Sequence, residues 1–161
     1  MPEMVLDTTA IQHLDRAGGF DLLEKLYEKV IVPEPVAQEV IAGIEAGLSL
    51  PDLGKYSWVE IRTVGHPDTV SVKSGLGPAE RATMALATET PGSVVITDDP
   101  MMRRYAQMMR QTYTGTIGVL LRAKKKQLIS RVGLLIEKLD SRGFKFHPTT
   151  RASVLTWANE T

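Results

Sequence analysis

Two short apolar runs in this chain end in carboxylates. Met4-Val5-Leu6 stops at Asp7, and Val94-Val95-Ile96-Thr97 stops at the adjacent pair Asp98-Asp99. Each reads as a buried strand with an acid at its carboxyl end, and like charges crowded there are costly unless something neutralises them. Glu39 and Glu80 complete a spaced acid set. Asp7 suits a helix N-terminus. Glu80 falls at the third position after Gly77, where a capping-box glutamate goes. Asp99 precedes Pro100 and suits an N-cap. Asp98 has no obvious local job. Glu39 falls at the margin of an inward helical stripe with Val36, Val40, Gly43 and Gly47, whose small members would leave room for an ion. As a set, the acids could converge on one cleft. Oxygen donors without a cysteine or histidine cluster suit Mg²⁺ or Mn²⁺, and two such ions about 4 Å apart can clamp both oxygens of a phosphodiester displacement.

The elements that must position these acids follow from periodicity. Strands are expected at 4–6, 30–32 and 94–97, with an edge strand in "SWVEIRTV" and a short extended piece at "QTY". Thr8 or Thr9 is available to cap a helix running to Ala17, and Pro33 and Pro35 open another to about Ala46. Further helices are expected over 20–28, from Pro78, over 100–110, from Gly115, over 131–140 and over 148–158; the stretch 47–77 is the least readable. Strands alternating with helices imply an α/β fold, a short central parallel sheet within a three-layer αβα sandwich. Sites in such sheets lie beyond the carboxyl ends of the strands, at a switch in strand order. Asp7 and Asp98-Asp99 fall there.

The 161 residues suit a single domain over 1–161, and a hydrophobic share of 43% argues against disorder. No cysteine is present, which excludes disulfides and thiolate metal sites. His13, His66 and His147 share no zinc-ligand spacing. With no apolar run long enough for a bilayer and no leader pattern, the expected location is the cytoplasm, with no membrane partner. Net charge is zero but uneven: residues 1–99 hold 7 Lys and Arg against 16 Asp and Glu, and residues 100–161 hold 12 against 3. Such asymmetry marks either a polyanion partner or two halves that attract each other.

Five motifs, in order, resemble the PIN domain, a nuclease fold that includes many toxins of toxin–antitoxin pairs. "VLDTTAI" is similar to its first strand and acid, and "VPEPVAQEV" to its second-acid motif. "LGPAERATMALA", "VVITDDPMMRRYA" and "GTIGVLLRAKKKQLI" resemble a PIN-like subgroup described as predicted nucleic-acid-binding proteins. Ala79 departs from the subgroup's usual glycine before the third acid. The wider family's pattern points to Asp99, and the subgroup's also carries Asp98. The resemblance implies an endoribonuclease acting on single-stranded or structured RNA, with Asp7, Glu39, Glu80, Asp98 and Asp99 as catalytic and metal-holding groups for Mg²⁺ or Mn²⁺. It also implies a homodimer and an antitoxin partner. A non-catalytic PIN-like module that binds nucleic acid or protein is the alternative. Arg103, Arg104, Arg110, Arg122, Lys124 and Lys125 would form the phosphate-contacting rim, although the lysine run equally suits a solvated helix C-terminus.

Overall fold

The short apolar runs pair side by side in one direction. A computed structural model describes residues 2–143 and 147–160. In it β1 (Met4–Leu6), β2 (Val30–Pro33), β3 (Val59–Arg62), β4 (Val94–Ile96) and β5 (Tyr113–Thr114) form a parallel sheet of order β3-β2-β1-β4-β5. Among the described residues, eight helices connect and follow these strands: α1 (Thr8–Arg16), α2 (Leu22–Leu26), α3 (Glu34–Glu45), α4 (Pro78–Glu89), α5 (Pro100–Met108), α6 (Thr116–Lys125), α7 (Val132–Ser141) and α8 (Pro148–Trp157).

Alternation along the strands builds the two faces of the core. Met4, Leu6, Val30, Val32 and Ile96 join one cluster with Ile11 and Leu14 of α1, Val36 and Val40 of α3, Leu120 of α6 and Ile136 of α7. Val5, Ile31 and Val95 join the other with Met84 and Leu86 of α4 and Met102 of α5. The sheet therefore lies between two helical layers, as an αβα sandwich requires. The inner residues of β1, β2 and β4 are fully buried, so their near-continuous apolar character is what a two-sided sheet demands.

Strand order reverses direction between β1 and β4. The register Leu6↔Ile96 puts the residues after both strands side by side, and Asp7 N–H donates to Ile96 O at 3.2 Å. The expected switch point is thus real, and Asp7 and Asp98 flank it.

Several boundaries differ from the periodicity. The helix expected over 20–28 shrinks to α2, because Phe20 leaves it for an aromatic cluster with Tyr56 and Trp58, ring centroids 5.1–5.4 Å apart. Within 47–77, the chain takes three 3-10 turns before and after β3, one of the sheet's two edge strands. Asp7 itself caps α1, with Oδ1 accepting from Ala10 N–H at 2.9 Å, so neither Thr8 nor Thr9 is the cap. No helix among the described residues is long and apolar enough to cross a membrane.

Candidate active site

Asp7 is 2% exposed. Besides Ala10 N–H, its carboxylate accepts from Thr9 Oγ1 at 2.8 and 3.0 Å and from Thr97 Oγ1. Burial disfavours its charge more strongly than these donors favour it, with a smaller push from the nearby Asp98 charge. The carboxyl rises from an ordinary 3.8 to about 6. A buried acid left near neutrality by its own fold is short of positive charge.

Glu80 faces the same space. Asp7, Thr8, Thr9, Val36, Ala79 and Glu80 line a hollow of about 10 Å³, room for about one water-sized guest. Glu80 makes no hydrogen bond or ion pair among the described residues. Its carboxylate folds back over the N-cap Gly77, where a Cβ would stand 2.5 Å from Glu80 Oε2, yet no capping bond forms. The capping-box role is therefore not the one Glu80 plays. A Gly77→Ala methyl is expected to displace this carboxylate, so that a divalent ion held between Asp7 and Glu80 would bind about 10-fold more weakly, read by calorimetric titration of Mn²⁺. The backbone at φ −71° admits alanine, so thermal stability should change little.

Asp98 sits oppositely. Burial opposes its charge, but the donors from His13 and Thr116 outweigh it and hold the carboxyl below its ordinary range. Thr116 N–H donates to Oδ1 at 2.8 Å, Thr116 Oγ1 to Oδ2 at 2.5 Å, and His13 Nδ1 lies 2.7 Å from Oδ2. Asp98 N–H in turn donates to Thr9 Oγ1 at 3.0 Å, so one threonine hydroxyl bridges the two acids. Neighbouring carboxyls with opposite shifts divide roles between them. Asp99 has a third role: its Oδ1 caps α5 by accepting from Met101 and Met102 N–H at 2.8 and 3.1 Å.

Glu39 does not turn inward. It is exposed on α3 and accepts from Thr8 Oγ1 at 2.9 Å, one residue from Asp7. The room expected beside Gly43 is filled by the side chains of Leu48 and Leu50. The structure thus brings Asp7 and Glu80 to one hollow and joins Asp98 through Thr9 and Glu39 through Thr8. No group of three or more His, Cys, Asp and Glu among the described residues is gathered to hold a metal. The two-carboxylate set with its oxygen-only surroundings still fits Mg²⁺ or Mn²⁺, since Mg²⁺ characteristically takes one or two carboxylates and keeps its waters.

Arg103 reaches this site from α5. Its Nε donates to Thr97 O at 3.1 Å, its guanidinium lies 5.4 Å from the Tyr113 ring centroid, and Nη2 is 3.8 Å from Asp98 Oδ1. Gly115 permits this approach, because a Cβ there would overlap both the Arg103 guanidinium and Asp98. Arg104, Arg110 and Lys125 are exposed and have no partner among the described residues. Lys124 is a strut instead, donating to Ser130 O at 2.7 Å and Glu160 Oε2 at 3.1 Å. Ion pairs of the basic half such as Lys124–Glu160, Arg151–Glu137 and Arg151–Asp140 stay within it. Arg103 and Arg142 reach across to the acidic half, at Asp98 and at Arg16 O, while Arg104, Arg110 and Lys125 face outward.

Sequence reasoning weighed His13 only as a zinc ligand and Thr9 only as a helix cap, and gave Thr97 and Thr116 no role at the site. The available signal was spacing: Thr9 and His13 are four apart on α1, so both face Asp98.

A parallel α/β sheet with carboxylates paired at its switch point defines a class of acidic-site proteins. A family model for the PIN domain matches residues 3–160, and the chain belongs to that family, which carries a nuclease-like fold. Neither the curated proteins nor the solved structures give a match.

Proposed function

We propose that this protein is a metal-dependent endoribonuclease that hydrolyses RNA phosphodiester bonds to a 3′-hydroxyl and a 5′-phosphate. The observation that carries the reading is the pairing of Asp7, buried and raised to about 6, with the partnerless Glu80 across one hollow. Those two carboxylates would hold Mg²⁺ or Mn²⁺, with Glu39 and Asp99 at the margin. When bound, such an ion lowers the pKa of a water and offsets the charge that develops on phosphate oxygens. Thr9 and Thr97 orient Asp7 toward the hollow. Asp98, braced by His13 and Thr116, holds the Thr9 bridge and the Arg103 guanidinium, whose outer face is placed to meet a phosphate.

Purified protein is expected to cleave single-stranded RNA with Mn²⁺ or Mg²⁺ and to stop when the ion is chelated. Cleavage that persists in chelator contradicts the proposal. RNA binding without cleavage under any divalent ion selects the non-catalytic module, a reading favoured by the lack of a three-acid cluster among the described residues. The same proposal places the protein in the cytoplasm as the toxin of a toxin–antitoxin pair. A short neighbouring antitoxin gene is expected, and an isolated gene contradicts that part. Homodimerisation fits Met101, Met108 and Met109, which are 45–69% exposed around the end and outer face of α5; sedimentation reads it directly.

A further inference from the structure

A single exposed tryptophan is unremarkable in itself; the position of Trp157 is what carries meaning. It ends α8 and leaves 67% of its surface to solvent. Two hollows meet at it. One, of about 650 Å³, runs from Asp98 and Arg103 past Tyr113 to Trp157. The other, of about 550 Å³, continues from Trp157 to Arg122 and Lys125. Leu121 and Trp157 line both, so together they form the ridge between the hollows.

Two cations along this path are braced, and beyond Asp98 the charged side chains that line it are basic. Arg103 and Arg122 each lie against an aromatic ring, 5.4 Å from Tyr113 and 5.6 Å from Tyr27, which holds the guanidiniums in place before any ligand arrives. Among the described residues, no acidic side chain lines the second hollow. Glu160, just beyond it, is occupied: it accepts from Val132 and Gly133 N–H at 2.7 and 3.0 Å and from Lys124 Nζ. Those bonds pin the end of α8 to the first turn of α7 and to α6, so Trp157 projects from an anchored helix end.

We infer that Trp157 is a stacking platform for a base of single-stranded RNA, whose phosphates run from Arg103 at the acidic site to Arg122 and Lys125. An aromatic face flanked by fixed cations is the pairing that single strands require, because every base has a π-face and the backbone carries the charge. A duplex keeps its bases stacked on each other and offers none to Trp157. The inference rests on the ribonuclease reading and adds the path of its substrate and a base-stacking contact at Trp157.

The test is titration of a short oligouridylate into the full chain in chelator, followed by anisotropy and by tryptophan fluorescence. Quenching is expected, with Trp58 reporting little because it lies in the Phe20–Tyr56 cluster. Trp157→Ala should abolish the quench and weaken binding about 10- to 100-fold, while Trp157→Phe retains most of the affinity. An abasic oligomer of the same length should bind weakly to wild type without quenching, which keeps the test valid whatever the alanine variant's folding. If Trp157→Ala binds as tightly as wild type, or the abasic strand binds equally well, the platform is overturned while the nuclease reading stands. If quenching occurs as described but no divalent ion supports cleavage, the nuclease reading falls and the platform stands.

Discussion

Replacing Asp7 with asparagine is expected to cut Mn²⁺-dependent RNA cleavage about 1,000-fold, the equivalent of about 4 kcal/mol of charge stabilisation in the transition state. The same substitution should make the metal-free protein more stable at neutral pH. The folded protein holds the Asp7 proton up to about 6, whereas the unfolded chain releases it near 3.8. The folded state therefore binds more protons between those values, and stability falls as pH rises through that window. The full difference corresponds to about 3 kcal/mol at pH 7 and above. Asparagine removes this penalty but gives up one acceptor among Thr9, Thr97 and Ala10, which returns about 1 kcal/mol. Thermal melts in chelator at pH 4 and pH 8 check the sign: the variant should gain on wild type only at the higher pH. Equal gains at both would remove the charge explanation.

Asp98→Ala is expected to destabilise the fold by about 3 kcal/mol, a fall in Tm of about 6–12 °C for a chain this long. Two Thr116 donors would lose their acceptor beside a residue that is 0% exposed, and the His13 and Arg103 groups would lose their anion. Asp98→Asn, which keeps one acceptor for Thr116 N–H, should lose roughly half as much. Asp98 is depressed below its ordinary range, so its stabilisation is present at neutral pH and disappears as pH falls through that lowered value. Asp7 and Asp98 thus titrate with opposite consequences. A Tm for Asp98→Ala within a degree of wild type would show that the bracing role is wrong.

Much of this fold is legible in the sequence because its signals are local. The apolar runs at Met4, Val30 and Val94 can only be buried on both sides, and prolines 35, 78, 100 and 148 mark helix starts directly. The stretch 47–77 is illegible for the opposite reason: its short 3-10 turns have no period of their own, and the one at Pro67–Thr69 is set by its contact with α4. At the site, strand ends reveal Asp7 and Asp98. Of the bonds that separate their roles, those from His13, Thr9 and Thr97 join residues 85 to 90 positions apart and those from Thr116 join residues 18 apart, so no local window reveals them. Glu39 shows the limit of helical-wheel reasoning, since small neighbours signalled space that Leu48 and Leu50 occupy.

The central claim is that Asp7 and Glu80 share a divalent cation. Calorimetric titration of Mn²⁺ into wild type, Asp7→Asn and Glu80→Gln at pH 7.5 tests it most directly. The account predicts binding by wild type that weakens at least about 10-fold in each variant. Binding of equal strength in all three proteins, or no binding by wild type, would contradict it.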